Sequence, residues 1–308
     1  DAFDAGQTTA FAREYNAFWR RLGYDYVRVS PPVLFDLRRV AAEDQAELSR
    51  GRREWADSSR GTLESMDDVE RYPWPKLRAE HLRCADAILE ELPEGMGAIG
   101  WSGGIFEFAS QLVGLQRFLI AIYDDPEFVR AVVDGVAELI RETFKAFCAR
   151  DPIKAVWLGD DLGSKNATLV DPVFLRETIF PWYREYAELA HANGRLFLLH
   201  SCGNLAAIMD DLIVAGVDAK HSFEDAIMPV EEVKRRWGDW LAVLGGVDVD
   251  LLARGSEQAV CDRTRAILDA CATDGGYACG SGNSIANYVP PDNYLAMLET
   301  VHRFNGRM

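Results

Sequence analysis

The sequence predicts an α/β fold, a (β/α)8 TIM barrel with a helical N-terminal extension, and three observations predict it. Short apolar runs of strand character alternate with amphipathic helical stretches. Each strand–helix unit takes about 30 residues, which suits parallel strands joined by right-handed crossovers. No G-x-G-x-x-G fingerprint follows the first strand-like run, which disfavours an open dinucleotide-binding sheet.

The elements follow in order. Residues 24–29 read as the first strand and residues 97–101 as the second, followed by Gly103-Gly104. Asp125-Pro126 opens a helix, with Asp as N-cap and Pro at the first helical position. Residues 154–159 read as a buried strand that ends in Asp160-Asp161. A helix opens after Asp171-Pro172, is expected to break at Pro181, and stops at Gly194. Residues 195–200 are the next strand, and Asn204 caps a helix ended by Gly216. Residues 218–221, 241–244 and 277–279 are the remaining strands, separated by helices over 230–237 and after Ser256. Pro291 starts the closing helix. The whole of 1–308 reads as a single barrel domain. Its portion 1–95 is less regular, charged and mostly helical, and is expected to supply a partial first unit plus a lid or partner-facing extension.

Composition bounds the function. Lys and Arg total 33 against 49 Asp and Glu, a net charge of −16. Such a surface repels nucleic acid and anionic lipid at long range. No apolar run reaches the roughly 18 residues a membrane span needs. The first residue is Asp1, so further residues are expected upstream in the natural chain. The cysteines at 84, 148, 202, 261, 271 and 279 form no compact disulfide framework, and with no export signal a reduced cytoplasmic setting is expected.

In a barrel the chemistry sits at the C-terminal ends of the strands. The polar residues there include Asp160, Asp161, His200, Cys202, Lys220, His221, Glu224 and Cys279. His200 and Cys202 are two apart, so extended geometry points both to one side. Cys279 ends a later strand 77 residues downstream. One imidazole and two thiolates make a three-ligand zinc site with an open position. The same pattern also fits a buried, inert cysteine beside a core histidine. Asp160 and Asp161 point to opposite sides, so one at most enters the pocket. It could orient a substrate or hold a proton there, or both could cap the following turn.

The segment LLHSCGNLAAIMDDLIVAGVDAKHSFED (198–225) resembles the uroporphyrinogen decarboxylase superfamily. It is more similar to that superfamily's corrinoid-dependent methyltransferases and O-demethylases. The resemblance continues through LGGVDVD (244–250) and YACGSGNSIANYVPPDNYLAML (277–298), and reaches back to LGDDLGS (158–164). It implies a (β/α)8 barrel in which His200, Cys202 and Cys279 bind zinc, with Glu224 as a candidate extra ligand. It also implies a corrinoid (cobalamin) cofactor carried by a partner protein, since no D-x-H-x-x-G cobalamin motif is found in this chain. The expected activity is transfer of a methyl group from a small methoxylated, aromatic substrate to cobalt. Trp101, Phe106, Trp157, Phe223 and Tyr288 are candidates to clamp the ring, and His221 to supply a proton to the departing phenolate. The alternatives are a metal-free decarboxylase of the porphyrinogen type, a methylcobamide:thiol methyltransferase, and a non-catalytic barrel that binds a corrinoid partner. The decarboxylases carry an Arg-rich substrate segment, whereas YDYVRVSPP offers only Arg28.

Overall fold

The computed structural model describes residues 5–43, 52–57 and 59–306. The strands are β1 (Tyr26–Val29), a hairpin of β2 (Arg39–Glu43) and β3 (Arg52–Ala56), β4 (Gly97–Gly103), β5 (Ile153–Gly159), β6 (Leu196–His200), β7 (Ala219–His221), β8 (Ala242–Leu244) and β9 (Tyr277–Ala278). All but the hairpin form one parallel sheet in the order β1-β4-β5-β6-β7-β8-β9. Helices cover its outer face, as short parallel crossovers require. The fold is thus of the α/β barrel type the alternation predicted.

The strand count differs from eight. Among the described residues the sheet has seven strands, and β1 is not hydrogen-bonded to β9. Side chains bridge that seam. The Tyr24 and Tyr294 hydroxyls lie 2.6 Å apart. His302 Nε2 stands 3.2 Å from the Leu22 carbonyl oxygen. Gly23, at φ 78°, leaves room for this ring, since a Cβ there would come within 2.1 Å of it.

The two faces of the sheet carry different cores. Ile99, Ala155, Leu198 and Ala219 form an inner cluster, with Tyr26, Trp157, Ala242 and Leu244 packed against it. The outer face belongs to one continuous core that runs from Ala12 to Met297. Alternation carries the inner row from Leu198 to His200 on β6 and from Ala219 to His221 on β7. The register pairs His200 with His221 directly. Strand packing therefore brings two imidazoles to the barrel mouth.

Three local features differ from expectation. Asn204 does not cap the helix after β6, which starts at Met209 with Ile208 as its N-cap, while Asn204 Oδ1 accepts Ala206 N–H in the turn before it. The chain does not break at Pro181. It runs as Pro172–Phe174, a π-helical turn over Leu175–Ile179, and Phe180–Ala192. Pro181 lacks an N–H and crowds the carbonyl four residues back, and the wider turn absorbs both. The N-terminal portion is a barrel unit with an insertion. β1 returns to β4 through helix Ala79–Glu90, and the β2–β3 hairpin hangs between them. Helix Ala5–Arg21 is pinned beneath by buried Asn16, whose Nδ2 donates to the Ile88 and Glu91 carbonyls. No single described helix is long and apolar enough to cross a membrane.

Candidate metal centre and mouth cavity

β5 and β6 end side by side, and the loops that follow them touch backbone to backbone. A Cβ at Gly203, which sits at φ 83°, would lie 2.3 Å from the Gly163 carbonyl carbon. Only glycine allows that approach. Asn204 N–H donates to Ser164 O, and Leu162 N–H donates to the buried Ser201 hydroxyl. This contact brings together one donor atom each from Asp161, His200 and Cys202, all within 4.8 Å of one another. His200 Nε2 lies 3.4 Å from Cys202 Sγ and 3.6 Å from Asp161 Oδ1. Asp161 Oδ1 also accepts the Cys202 backbone N–H at 2.9 Å.

The sulfur of Cys202 receives two further donors, Asn283 Nδ2 at 3.1 Å and the Ser222 hydroxyl at 3.6 Å. Ser222 holds φ 86°, the single positive value at a non-glycine residue among those described. Its carbonyl accepts from the buried Lys220 ammonium, which also sits 4.2 Å from the centre of the Phe223 ring. Burial pushes the Cys202 thiol up to about 11, and the neighbouring Asp161 charge adds to it. Burial lowers His200 against the opposing pull of Asp161. His221 falls to about 3, from burial and then from His200. Lys220 drops to about 7 because its ammonium is buried.

The two adjacent aspartates part company. Asp160 is fully buried and accepts Phe106 N–H at 3.0 Å, Glu107 N–H at 2.9 Å and the Tyr183 hydroxyl at 2.8 Å. It anchors the start of helix Ile105–Val113 and does not reach the pocket, which corrects its reading as a catalytic candidate. Asp161 points the other way and lines a mouth cavity of about 530 Å³. The cavity has apolar walls from Val33, Leu37, Trp101, Phe106 and Phe108. Its charged lining is Arg39, Glu54, Asp57, Glu107 and Asp161. The hairpin thus contributes Arg39 and Glu54 to the cavity lining.

Glu107 is a residue that sequence reasoning missed. Burial, then Asp160 and Asp161, push its carboxyl up to about 7. Its signal was a lone carboxylate in the first turn of an otherwise apolar helix just past a strand end. Arg28, the one arginine of YDYVRVSPP, also faces inward. It occupies the inner row of β1 opposite Ile99, with its guanidinium 4.9 Å from the centre of the Trp101 ring.

Other expected residues lie elsewhere. Cys279 does not join the cluster. Ala278 pairs with Leu244 of the inner row, so Cys279 turns outward and packs on the main core beside Tyr277. Its thiol is pushed up to about 11 by burial. Asp161 stands in the place expected for it. Glu224 lines a separate cleft of about 240 Å³ that Cys202 also lines, and it lies outside the donor cluster. Of the aromatics, Trp101 and Phe106 line the mouth cavity. Trp157 packs edge-on against His221 inside the barrel, Phe223 sits over Lys220, and Tyr288 packs on the outer core.

An imidazole, a thiol and a carboxylate are donors that suit zinc, and three protein ligands leave a position for water or substrate. The chain has relatives among known proteins. The family profile described as Uroporphyrinogen decarboxylase (URO-D) matches residues 17–304. A uroporphyrinogen decarboxylase of Streptomyces avermitilis is 27% identical over 238 residues, which cover 74% of this chain and 62% of that protein. The one of Streptomyces coelicolor is 25% identical over 218 residues, covering 66% and 57%. The chain therefore spans less than two thirds of the length of these relatives. Among solved structures, a methyltransferase from Methanosarcina mazei superposes with a TM-score of 0.70 at 19% identity, over 96% of this chain and 86% of that one. That likeness is one of fold.

Proposed function

The chain belongs to the uroporphyrinogen decarboxylase family, and from that premise we propose a zinc-dependent methyltransferase that takes methyl groups from methoxylated aromatic substrates. The acceptor in this reading is the cobalt of a corrinoid carried by a partner protein. One observation carries the reading: Asp161, His200 and Cys202 converge within 4.8 Å beside a cavity sized for a small molecule. These three residues would hold the ion. Zinc bound there would polarise the ether oxygen as a Lewis acid, and reduced cobalt would accept the methyl group.

The chain's own residues do the rest. Trp101, Phe106 and Phe108 give an aromatic ring apolar walls and exclude water. Asn283 Nδ2 and the Ser222 hydroxyl donate to Cys202 Sγ and so favour its thiolate. Glu107 faces the cavity with a carboxyl near 7, suited to hand its proton to the phenolate oxygen that loses the methyl group.

The relatives' names favour a second reading, metal-free decarboxylation of a porphyrinogen. The cavity charge opposes it. Arg39 is the one cation in the described lining against Glu54, Asp57, Glu107 and Asp161, a poor host for a polycarboxylate. The donor cluster would also be left without a role.

The test incubates the zinc-loaded chain with a cobalt(I) corrinoid protein and a panel of methoxyaromatics, methylamines and methanol. Cobalt methylation is followed by absorbance. Methylation from a methoxyaromatic is expected, with a loss of at least about a hundredfold in Cys202→Ser. Carbon dioxide release from a porphyrinogen by metal-free protein, without any methyl transfer, would reject the proposal.

A further inference from the structure

Beneath the donor cluster, the ring of His200 rests on a second imidazole. His200 Nδ1 and His221 Nδ1 are 2.7 Å apart, with the rings stacked at 5.0 Å between centroids. On the far side, His221 Nε2 lies 3.2 Å from the Ser281 carbonyl oxygen. A carbonyl oxygen can only accept, so His221 Nε2 carries the hydrogen. His221 Nδ1 then holds a lone pair and accepts from His200 Nδ1–H. That leaves the lone pair of His200 on Nε2, the nitrogen that faces Cys202 Sγ and Asp161 Oδ1. The reverse order would set two lone pairs against each other at Ser281.

We propose that His221 is a positioning residue that relays the polarity of the Ser281 carbonyl to His200 and so fixes the tautomer able to bind a metal ion through Nε2. The inference rests on the metal reading of the cluster above. It has work to do, because the cluster alone favours the wrong tautomer. Asp161 Oδ1 is an acceptor, and without a metal it would draw a hydrogen onto His200 Nε2. Only the acceptor at His221 Nδ1 competes. The His221 ring is itself held in place. Trp157 packs against it at 5.5 Å and 76°, and Gly245 leaves it room where a Cβ would lie 3.1 Å from its Cδ2. Three successive chain segments thus set one lone pair: the loop after β9, the end of β7 and the end of β6. The role differs from the proton donation to substrate that the sequence suggested for His221.

The test compares wild type with His221→Leu, which removes the acceptor, and His221→Gln, whose amide oxygen can still accept from His200 Nδ1–H. Long-range 1H–15N spectra of the metal-free, histidine-labelled chain report the tautomer. His200 is identified by its absence in His200→Ala. Cobalt(II) titration followed by absorbance reports affinity. In wild type and His221→Gln, His200 should carry its hydrogen on Nδ1 and bind cobalt(II) within about threefold of each other. In His221→Leu the hydrogen should move to Nε2 and affinity should fall by about ten- to a hundredfold. Unchanged signals from His81, His191 and His302 certify the fold. Wild-type His200 with hydrogen on Nε2, or tight cobalt(II) binding by His221→Leu, would overturn the inference. A correct tautomer pattern in a wild-type chain that binds no cobalt(II) would support the relay and reject the metal reading instead.

Discussion

Asp160 and Asp161 are neighbours in sequence and opposites in environment. One fills its oxygens with two backbone N–H groups and a tyrosine hydroxyl; the other stands at the cavity wall 3.6 Å from an imidazole nitrogen. Strand alternation announced that they would separate, but it could not say which went inward. The same logic explains the rest of the site. His200 and Cys202 were legible because two residues of spacing put them on one side. Cys279 was not, because it lies one residue past the inner-facing Ala278 and its side follows from the register with β8. Glu107 has a consequence for stability. Its carboxyl is raised to about 7 in the fold from an ordinary 4.5, by burial first and by Asp160 and Asp161 next. The folded chain therefore binds this proton more tightly than the unfolded chain. The group's contribution to stability is greatest below about pH 4.5 and is lost as pH rises through about 7. Glu107→Gln keeps an acceptor for Gln111 Nε2 and removes the buried charge. Metal-free Glu107→Gln should be more stable than wild type by on the order of 2 kcal/mol at pH 8, with no gain near pH 4.5. Thermal melts at the two pH values check this; an equal gain at both would mean that the charge is not the cause.

At the scale of elements, the parallel strands were legible because each is a short apolar run bounded by a turn and matched to a helix period. Seven were identified and seven are present among the described residues, with bounds that differ by at most two residues. No eighth apolar run was found and no eighth strand joins the sheet among the described residues; the closing helix instead contacts residues 22–24 ahead of β1. The β2–β3 hairpin escaped because its ten paired residues are largely charged or small, without the two-residue alternation that marks a strand. The π-helical turn before Pro181 escaped because a proline in a helical pattern reads as a break unless the preceding turn can widen. Helix Ile105–Val113 shows how an element can depend on a side chain from another. Its N-cap is Gly104, which offers no side-chain oxygen, and Asp160 at the end of β5 supplies the acceptors in its place. Gly104 is required there, since a Cβ would meet the Asp160 carboxyl at 2.1 Å. Asp160→Ala leaves two helix N–H groups and the Tyr183 hydroxyl without their buried partner. It should lower stability by roughly 3 kcal/mol. The urea midpoint should fall with the slope unchanged. A variant within about 0.5 kcal/mol of wild type would show that water replaces the carboxylate and that the anchor is dispensable.

At the scale of the molecule, the net charge of −16 and the mouth cavity act in the same direction. Three carboxylates, the Glu107 carboxyl near 7 and one guanidinium line the described cavity, and the whole chain adds a negative field around it. Arg28, stacked on Trp101 in the barrel, opposes that field as a single charge. An anionic substrate therefore approaches uphill, and a neutral one does not. Screening separates the two cases, because the Debye length falls from about 30 Å at 0.01 M salt to about 8 Å at 0.15 M. If the chain demethylates methoxyaromatics, the KM for a methoxybenzoate should fall about two- to fivefold over that range. The KM for a neutral methoxyphenol should stay within error, which also controls for any effect of salt on the corrinoid partner. A methoxybenzoate KM that rises with salt would mean that Arg28 or Arg39, and not the carboxylates, sets the potential the substrate meets. The site would then select for acids, against the sign of the molecule as a whole.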